Sequence, residues 1–264
     1  MTKNAYGQTD LISKAEAHNC QAIVVSNPES LQKITGREKA SLDSFRGSRF
    51  NFRIPIFIIN PLSHLVKVEY GRWLLDRDLE KLKHANRPPT EFAWKKADTR
   101  FSQLECIRDC ESAIFIAFDV ETNPSYRLIT CISFACLMPD MSIRVWIIPL
   151  VDFTQNHYGN PADYEAALLC MQTVLRNDVP KIAHNGIYDA TYSITYHAEP
   201  RNYILDTMIM GWSRFSELPR SLDFNASLYL YDYIQWKYES DEASANKDIM
   251  SYWAYCAKDS WTTL

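Results

Sequence analysis

Apolar and polar positions in this chain alternate in short, strand-length blocks separated by turn residues, and the blocks change character near residue 110. Before it, "NCQAIVVSNPESLQKITG" predicts a buried strand, a turn at Asn27-Pro28 and a short helix closed by Gly36. "IPIFIINPL" predicts a second strand. "YGRWLLDRDLEKLKHA" repeats at helical spacing, with Trp73, Leu74, Leu75, Leu79 and Leu82 on one face. Pro88-Pro89 and a run of mixed charge then break the pattern. The expectation is a small βαβα-like unit over 1–85 and a linker over 86–110.

From residue 111 the blocks lengthen. "SAIFIAFDVE", "RLITCISFACL" and "SIRVWIIPLV" predict three consecutive strands joined by turns, an antiparallel meander. "PADYEAALLCMQTVLRN" reads as a helix with Pro161 near its start. A short strand, "PKIAHNG", precedes a helix over "IYDATYSITYHA". "YILDTMIMGWSRF" passes from strand to helix, and "SLDFNASLYL" and "NKDIMSYWAYCAKDSWTTL" are helical. Three strands, then alternating helix and strand, predict an α/β fold over 111–264: a ribonuclease-H-like mixed sheet with flanking helices.

Composition supports an ordered chain with a large core: 264 residues, 47% of them hydrophobic and 13% aromatic. The net charge of −4 hides an asymmetry. Residues 1–110 carry 18 Lys and Arg against 13 Asp and Glu, whereas 111–264 carry 10 against 19. A basic part beside an acidic one fits a polyanion-binding surface next to a metal site, although charge alone favours chance variation. The seven cysteines form no CxxC pair, and several lie in apolar runs, which fits reduced thiols in the cytoplasm. No signal peptide or transmembrane run is present, so no membrane partner is expected.

Three places carry candidate chemistry. In "IFIAFDVET" Asp119 and Glu121 are two apart on a strand, so both side chains face one way. Two like charges side by side in an apolar strand need a compensating cation, and hard carboxylate oxygens suit Mg²⁺ or Mn²⁺ better than zinc. In "AHNGIYD" a strand ends at His184 and Asn185, and Asp189 falls in the first turn of the next helix. Favourable interaction with the helix dipole explains an acid there equally well. In "YCAKD" Tyr255 and Asp259 are four apart and share a helix face. Each motif alone has an ordinary structural explanation.

In order and together, "FDVET", "HNGIYD" and "YCAKD" resemble the three motifs of the DEDD superfamily of 3′-to-5′ exonucleases. Tyr255, four residues before the last acid, makes the resemblance one to its DEDDy branch. "ILDTMIMGWSRFSELPRSLDFNASLYL" and "ISFA" are similar to segments of proofreading domains in family A DNA polymerases. The resemblance covers about 112–264. It implies catalysis at Asp119, Glu121, Asp189 and Asp259 with two Mg²⁺ or Mn²⁺ ions. Asp119 would touch both ions, Glu121 and Asp259 would hold the tighter one, and Asp189 would help place the second. Tyr255 would orient the attacking water, Thr122 and Asn185 would contact the terminal nucleotide, and the product would be a 5′-mononucleotide.

The implied partners are single-stranded or frayed 3′ ends of DNA and a DNA polymerase subunit or polymerase domain. A stand-alone exonuclease, a segment of a larger polymerase and one subunit of a divided enzyme all fit. A phage-encoded chain would act in the host cytoplasm. Two alternatives stay open: a ribonuclease-D-like RNA exonuclease, which shares the motifs, and a non-catalytic DNA-binding accessory module. Residues before 86 faintly resemble the C-terminal half of uracil-DNA glycosylase-superfamily domains at "NPLSHL", with Asn60 where that family has His. Their basic excess implies DNA or partner binding, with Arg46, Arg49, Arg53, Lys67 and Arg72 as contacts.

Overall fold

The computed structural model describes residues 4–61, 63, 70–123, 127–153 and 157–264. Their contacts define two compact units. One is built from Met1–Glu91 and Asp223–Trp236, the other from Phe92–Leu222 and Lys237–Leu264.

The smaller unit holds helix α1 (Asn4–Ala17), strand β1 (Ile23–Val25), helices α2 (Pro28–Thr35) and α3 (Leu42–Phe45), strands β2 (Arg49–Phe50) and β3 (Ile56–Ile58), and helix α4 (Gly71–Glu80). Strand β3 is central and fully buried, parallel to β1 and antiparallel to β2. Helix α2 starts and stops where its sequence says. The Asn27 side chain accepts from the Ser30 amide at 2.8 Å, Pro28 opens the first turn, and Gly36 ends it at φ +70°, a left-handed conformation natural to glycine.

Two expectations for this unit are corrected. Helix α4 does not bury the whole apolar face read from its spacing: Leu74 is inside, Leu79 is exposed, and the next deeply buried residue is Asp78. Asp78 is there because Arg46 pairs with it at 2.6 Å, both side chains being buried. Burial pushes the Asp78 carboxyl up to about 6, even against the nearby Arg46 and Lys81 charges. The second correction concerns the proposed nucleic-acid contacts. Arg46 is spent on Asp78 and Ser227, and Arg49 donates to the carbonyls of Ala85 (3.0 Å) and Arg87 (2.8 Å). At 3% and 4% exposure neither can reach a phosphate. Arg53 is exposed beside Glu16, and Arg72 is exposed. Lys67 and half of the "NPLSHL" loop, Leu62, His64 and Leu65, lie outside the described residues.

The larger unit is a six-stranded sheet of β4 (Lys95–Lys96), β5 (Phe115–Asn123), β6 (Leu128–Leu137), β7 (Ile143–Pro149), β8 (Lys181–Ala183) and β9 (Tyr203–Asp206). Its order is β4-β7-β6-β5-β8-β9. Strands β5, β6 and β7 form the expected antiparallel meander, and β8 and β9 add in parallel. This is the ribonuclease-H-like arrangement. The helices are α5 (Arg100–Ser112), α6 (Pro161–Arg176), α7 (Gly186–Thr195), α8 (Thr207–Arg214), α10 (Tyr238–Asn246) and α11 (Ile249–Thr263); α9 (Leu222–Tyr229) lies almost wholly in the segment assigned to the smaller unit.

The linker over 86–110 is also corrected, because Lys95–Lys96 pairs with β7 and 100–112 is helical. Thr99 and Ser102 form a capping box, and Gln103, Cys106 and Cys110 at three- and four-residue spacing are buried. The break at Pro88-Pro89 is real, but regular structure resumes at Lys95 rather than after residue 110.

Two apolar layers flank the sheet, as the alternation of β5 requires. Ile116, Phe118 and Val120 pack with α5 and with Met171, Val174 and Leu175 of α6. Ala117 faces the other way, toward Trp253, Cys256 and Ala257 of α11. Burying each large side chain of these layers contributes about 1.5–3 kcal/mol. All seven cysteines are free and six are buried. Among the described residues no helix is long and apolar enough to cross a membrane.

Candidate active site

The alternation that buries Phe118 and Val120 puts Asp119 and Glu121 on the face of β5 that looks at α11. A register shift between Glu121 and Thr122 interrupts the β5–β6 pairing just after the second acid. Helix α11 supplies Asp259, 4% exposed, and Tyr255 one turn before it.

Asp189 reaches the same place through a gap in the sheet. Strand β8 pairs with Ile116 and Ala117 and ends at Ala183, so the Val120 amide has no partner from β8. The Asp189 Oδ1 accepts from that amide at 2.8 Å, which holds the start of α7 against the strand between the two acids. Asn185 enters α7 in a left-handed conformation, φ +59°. Its amide and that of Gly186 donate to Asp206 at 3.0 and 2.9 Å, and Asp206 also caps α8. The turn has no room to spare: a Cβ on Gly186 would fall 2.6 Å from that of Ala183. His184 hydrogen-bonds Thr207 through Nδ1 at 2.8 Å and is a packed residue here.

One cleft is lined by Asp119, Glu121, Asp189 and Asp259, together with Thr122, Asn185, Tyr188 and Arg220. The structure thus gathers all four acids predicted from sequence, and both predicted nucleotide contacts. Tyr255 adjoins them: its hydroxyl and Asp259 share one hydrogen-bond donor. Thr122 Oγ1 lies 2.6 Å from the Tyr188 hydroxyl, and the Tyr252 hydroxyl lies 3.4 Å from Glu121 Oε2.

The charges are in conflict without a cation. Burial, then the charges of Asp259, Asp189 and Glu121, push the Asp119 carboxyl well above the usual range. Burial, then Asp259, raises Glu121 to about 8, and burial raises Asp189 to about 7. Oxygens of Asp119 and Glu121 and the Cys256 sulfur lie within 4.8 Å of one another, close enough to share one ion. Mutually repelling hard oxygen donors in one cleft fit a divalent cation.

Three participants escaped the sequence reading. Lys237, in "QWKYES", is the donor to Tyr255 and Asp259 and sits in no periodic pattern, so nothing pointed to it. Asp206 was legible as an Asp just before the helical run "TMIMGW", a helix N-cap signal. Tyr252 lies three residues before Tyr255 on the same helix face.

No protein-family model matches the chain, and no curated protein does. Solved structures do. The EXO domain of Aedes aegypti Nibbler is 14% identical with a TM-score of 0.46, over 66% of this chain and 87% of that one. Trypanosoma brucei RNase D is 15% identical with a TM-score of 0.47, over 64% and 61%. Escherichia coli RNase D, an exoribonuclease involved in structured RNA processing, is 15% identical with a TM-score of 0.44, over 65% and 42%. The trypanosomal enzyme also matches in its complex with RNA U12, at 13% identity and a TM-score of 0.32. The chain therefore spans less than two thirds of either RNase D.

The sheet order and strand pairing are those of a ribonuclease-H-like fold, and the acids that line its cleft fit a divalent cation. The narrower expectation is corrected. The matching chains carry the names of RNase D and a Nibbler EXO domain, so a polymerase proofreading role, DNA 3′ ends and a polymerase subunit as partners are withdrawn.

Proposed function

We propose that the larger unit is a 3′-to-5′ exonuclease that removes 5′-mononucleotides from RNA. The observation that carries this is the convergence of Asp119, Glu121, Asp189 and Asp259, from three separate stretches of sequence, in one cleft beside Tyr255. RNA is the substrate class by likeness to exoribonucleases of the RNase D kind. The four carboxylates would hold two Mg²⁺ or Mn²⁺ ions, which lower the pKa of the attacking water and stabilise the leaving oxygen. Asp119, whose carboxyl feels the charges of the other three acids, would serve both ions; Asp259 and Glu121 would serve one, and Asp189, tied to the Val120 amide, the other. The Tyr255 hydroxyl would orient the water in line with the phosphorus. Thr122 and Asn185 line the space for the terminal nucleotide.

The test uses the whole chain with 5′-labelled single-stranded RNA and DNA of one sequence, in Mg²⁺ or Mn²⁺ and in EDTA. Stepwise shortening of the RNA from its 3′ end is expected, faster than that of DNA and absent in EDTA. Early release of the 5′ label as a mononucleotide, or no cleavage with either ion, refutes the reading. Tyr255→Phe should lose roughly 10²-fold in kcat or less, since the hydroxyl orients the water while the cations activate it. Single-turnover kinetics check this; a loss equal to that of removing an acid would make Tyr255 a ligand or a structural post.

A further inference from the structure

The acids of the cleft are not alone with one another. Lys237 Nζ lies 2.6 Å from Asp259 Oδ2 and 3.1 Å from the Tyr255 hydroxyl, and 5.1 Å from the centre of the Tyr255 ring. Its side chain is 31% exposed, that of Asp259 6%. The placement is built. Lys237 immediately precedes α10, and Glu239, two residues on, pairs with Lys258, the neighbour of Asp259 on α11. Helix-to-helix pairing therefore delivers the ammonium to the carboxylate.

Two consequences follow from hydrogen-bond chemistry. An ammonium only donates, so the Tyr255 oxygen accepts from it and the phenolic hydrogen must point elsewhere. The lysine thus fixes the hydroxyl as a donor. The same ammonium neutralises one carboxylate of the four. A divalent cation on Asp259 would meet that positive charge across a few ångströms, an arrangement that like charges oppose.

We infer that Lys237 is a resident cation of the site, which holds Asp259 and sets the Tyr255 hydroxyl and which a divalent cation must displace to take Asp259. The inference rests on the reading of Asp259 as a cation ligand. Lys237 is a positioning residue in this scheme, and its competition with the ion sets how much Mg²⁺ or Mn²⁺ the protein needs.

The experiment measures Mn²⁺ binding to the EDTA-stripped whole chain by calorimetry, with circular dichroism as the check of folding. Lys237→Met should bind Mn²⁺ about tenfold or more tightly than the wild type, and Lys237→Arg, which keeps the charge, should stay close to the wild type. Unchanged or weaker binding by a folded Lys237→Met overturns the inference while leaving the exonuclease reading intact. A wild type that binds no Mn²⁺ overturns both. A second measurement needs no variant. Acetylation of Lys237 by acetic anhydride, followed by mass spectrometry, should rise severalfold when Mn²⁺ is added, because the amine is released from Asp259. Protection or no change overturns the inference.

Discussion

Asp119→Ala should remove the nuclease activity and leave the fold in place. Asp119 is flanked by every other acid of the cleft: Glu121 is two positions along the same strand, and the charges of Asp259 and Asp189 act on its carboxyl more strongly than that of Glu121. Losing it should cost 10³-fold or more in turnover, about 4 kcal/mol of transition-state stabilisation. The same change removes a carboxyl that burial and its neighbours already disfavour in ionised form. In EDTA the variant should therefore melt no lower than the wild type. Labelled RNA digestion and a thermal melt check both halves. Near wild-type digestion would remove the acid cluster from the mechanism, and a collapsed melt would mean that Asp119 holds the fold.

In EDTA the larger unit should lose stability as the pH rises from 5 to 8, and Mn²⁺ should restore it. Glu121 titrates near 8 in the folded chain against an ordinary 4.5, and Asp189 near 7 against 3.8. Between those values the folded state binds more protons than the unfolded one, so the slope of stability against pH is negative. Their contribution is intact below about pH 4 and lost as pH climbs through 7 to 8. Each tenfold difference in proton affinity between folded and unfolded chain is worth about 1.4 kcal/mol, and a chain of this size loses roughly 2–4 °C of Tm per kcal/mol. His157, His184 and Lys181, all held low by burial, work in the opposite direction. The decisive quantity is therefore the rise in Tm on adding Mn²⁺, measured at each pH. Protons and cations compete for the same carboxylates, so that rise should grow by at least ~5 °C between pH 5 and 8. A cation effect that is absent or independent of pH would mean that the four acids do not bind it.

The place where the sequence reading went wrong about charge shows what pattern alone misses. Arg46, Arg49 and Arg53 look equivalent in a basic stretch. Only Arg53 is outside; the other two are consumed by Asp78 and by the carbonyls of Ala85 and Arg87, which lie 32 to 38 residues further on. Net charge counts residues, whereas a phosphate is met only by those that fold to the surface. Leu79 and Asp78 make the same point on one helix: spacing predicts the apolar residue inside, and a buried arginine reverses the choice.

The features legible along the chain are local and periodic. A repeat of two in "IFIAFDVE" places Asp119 and Glu121 on one face of a strand, and a separation of four places Tyr255 and Asp259 on one face of a helix. Asn27 with Gly36, and Thr99 with Ser102, mark helix ends by hydrogen bonds that span a few residues. What these faces meet is a matter of packing. Asp189 finds the Val120 amide across 69 residues because β8 stops short, and Lys237 finds Asp259 because α10 pairs with α11. Such contacts depend on which strand ends first and which helix lies beside which. Those are properties of the packed sheet, and no repeat along the chain encodes them.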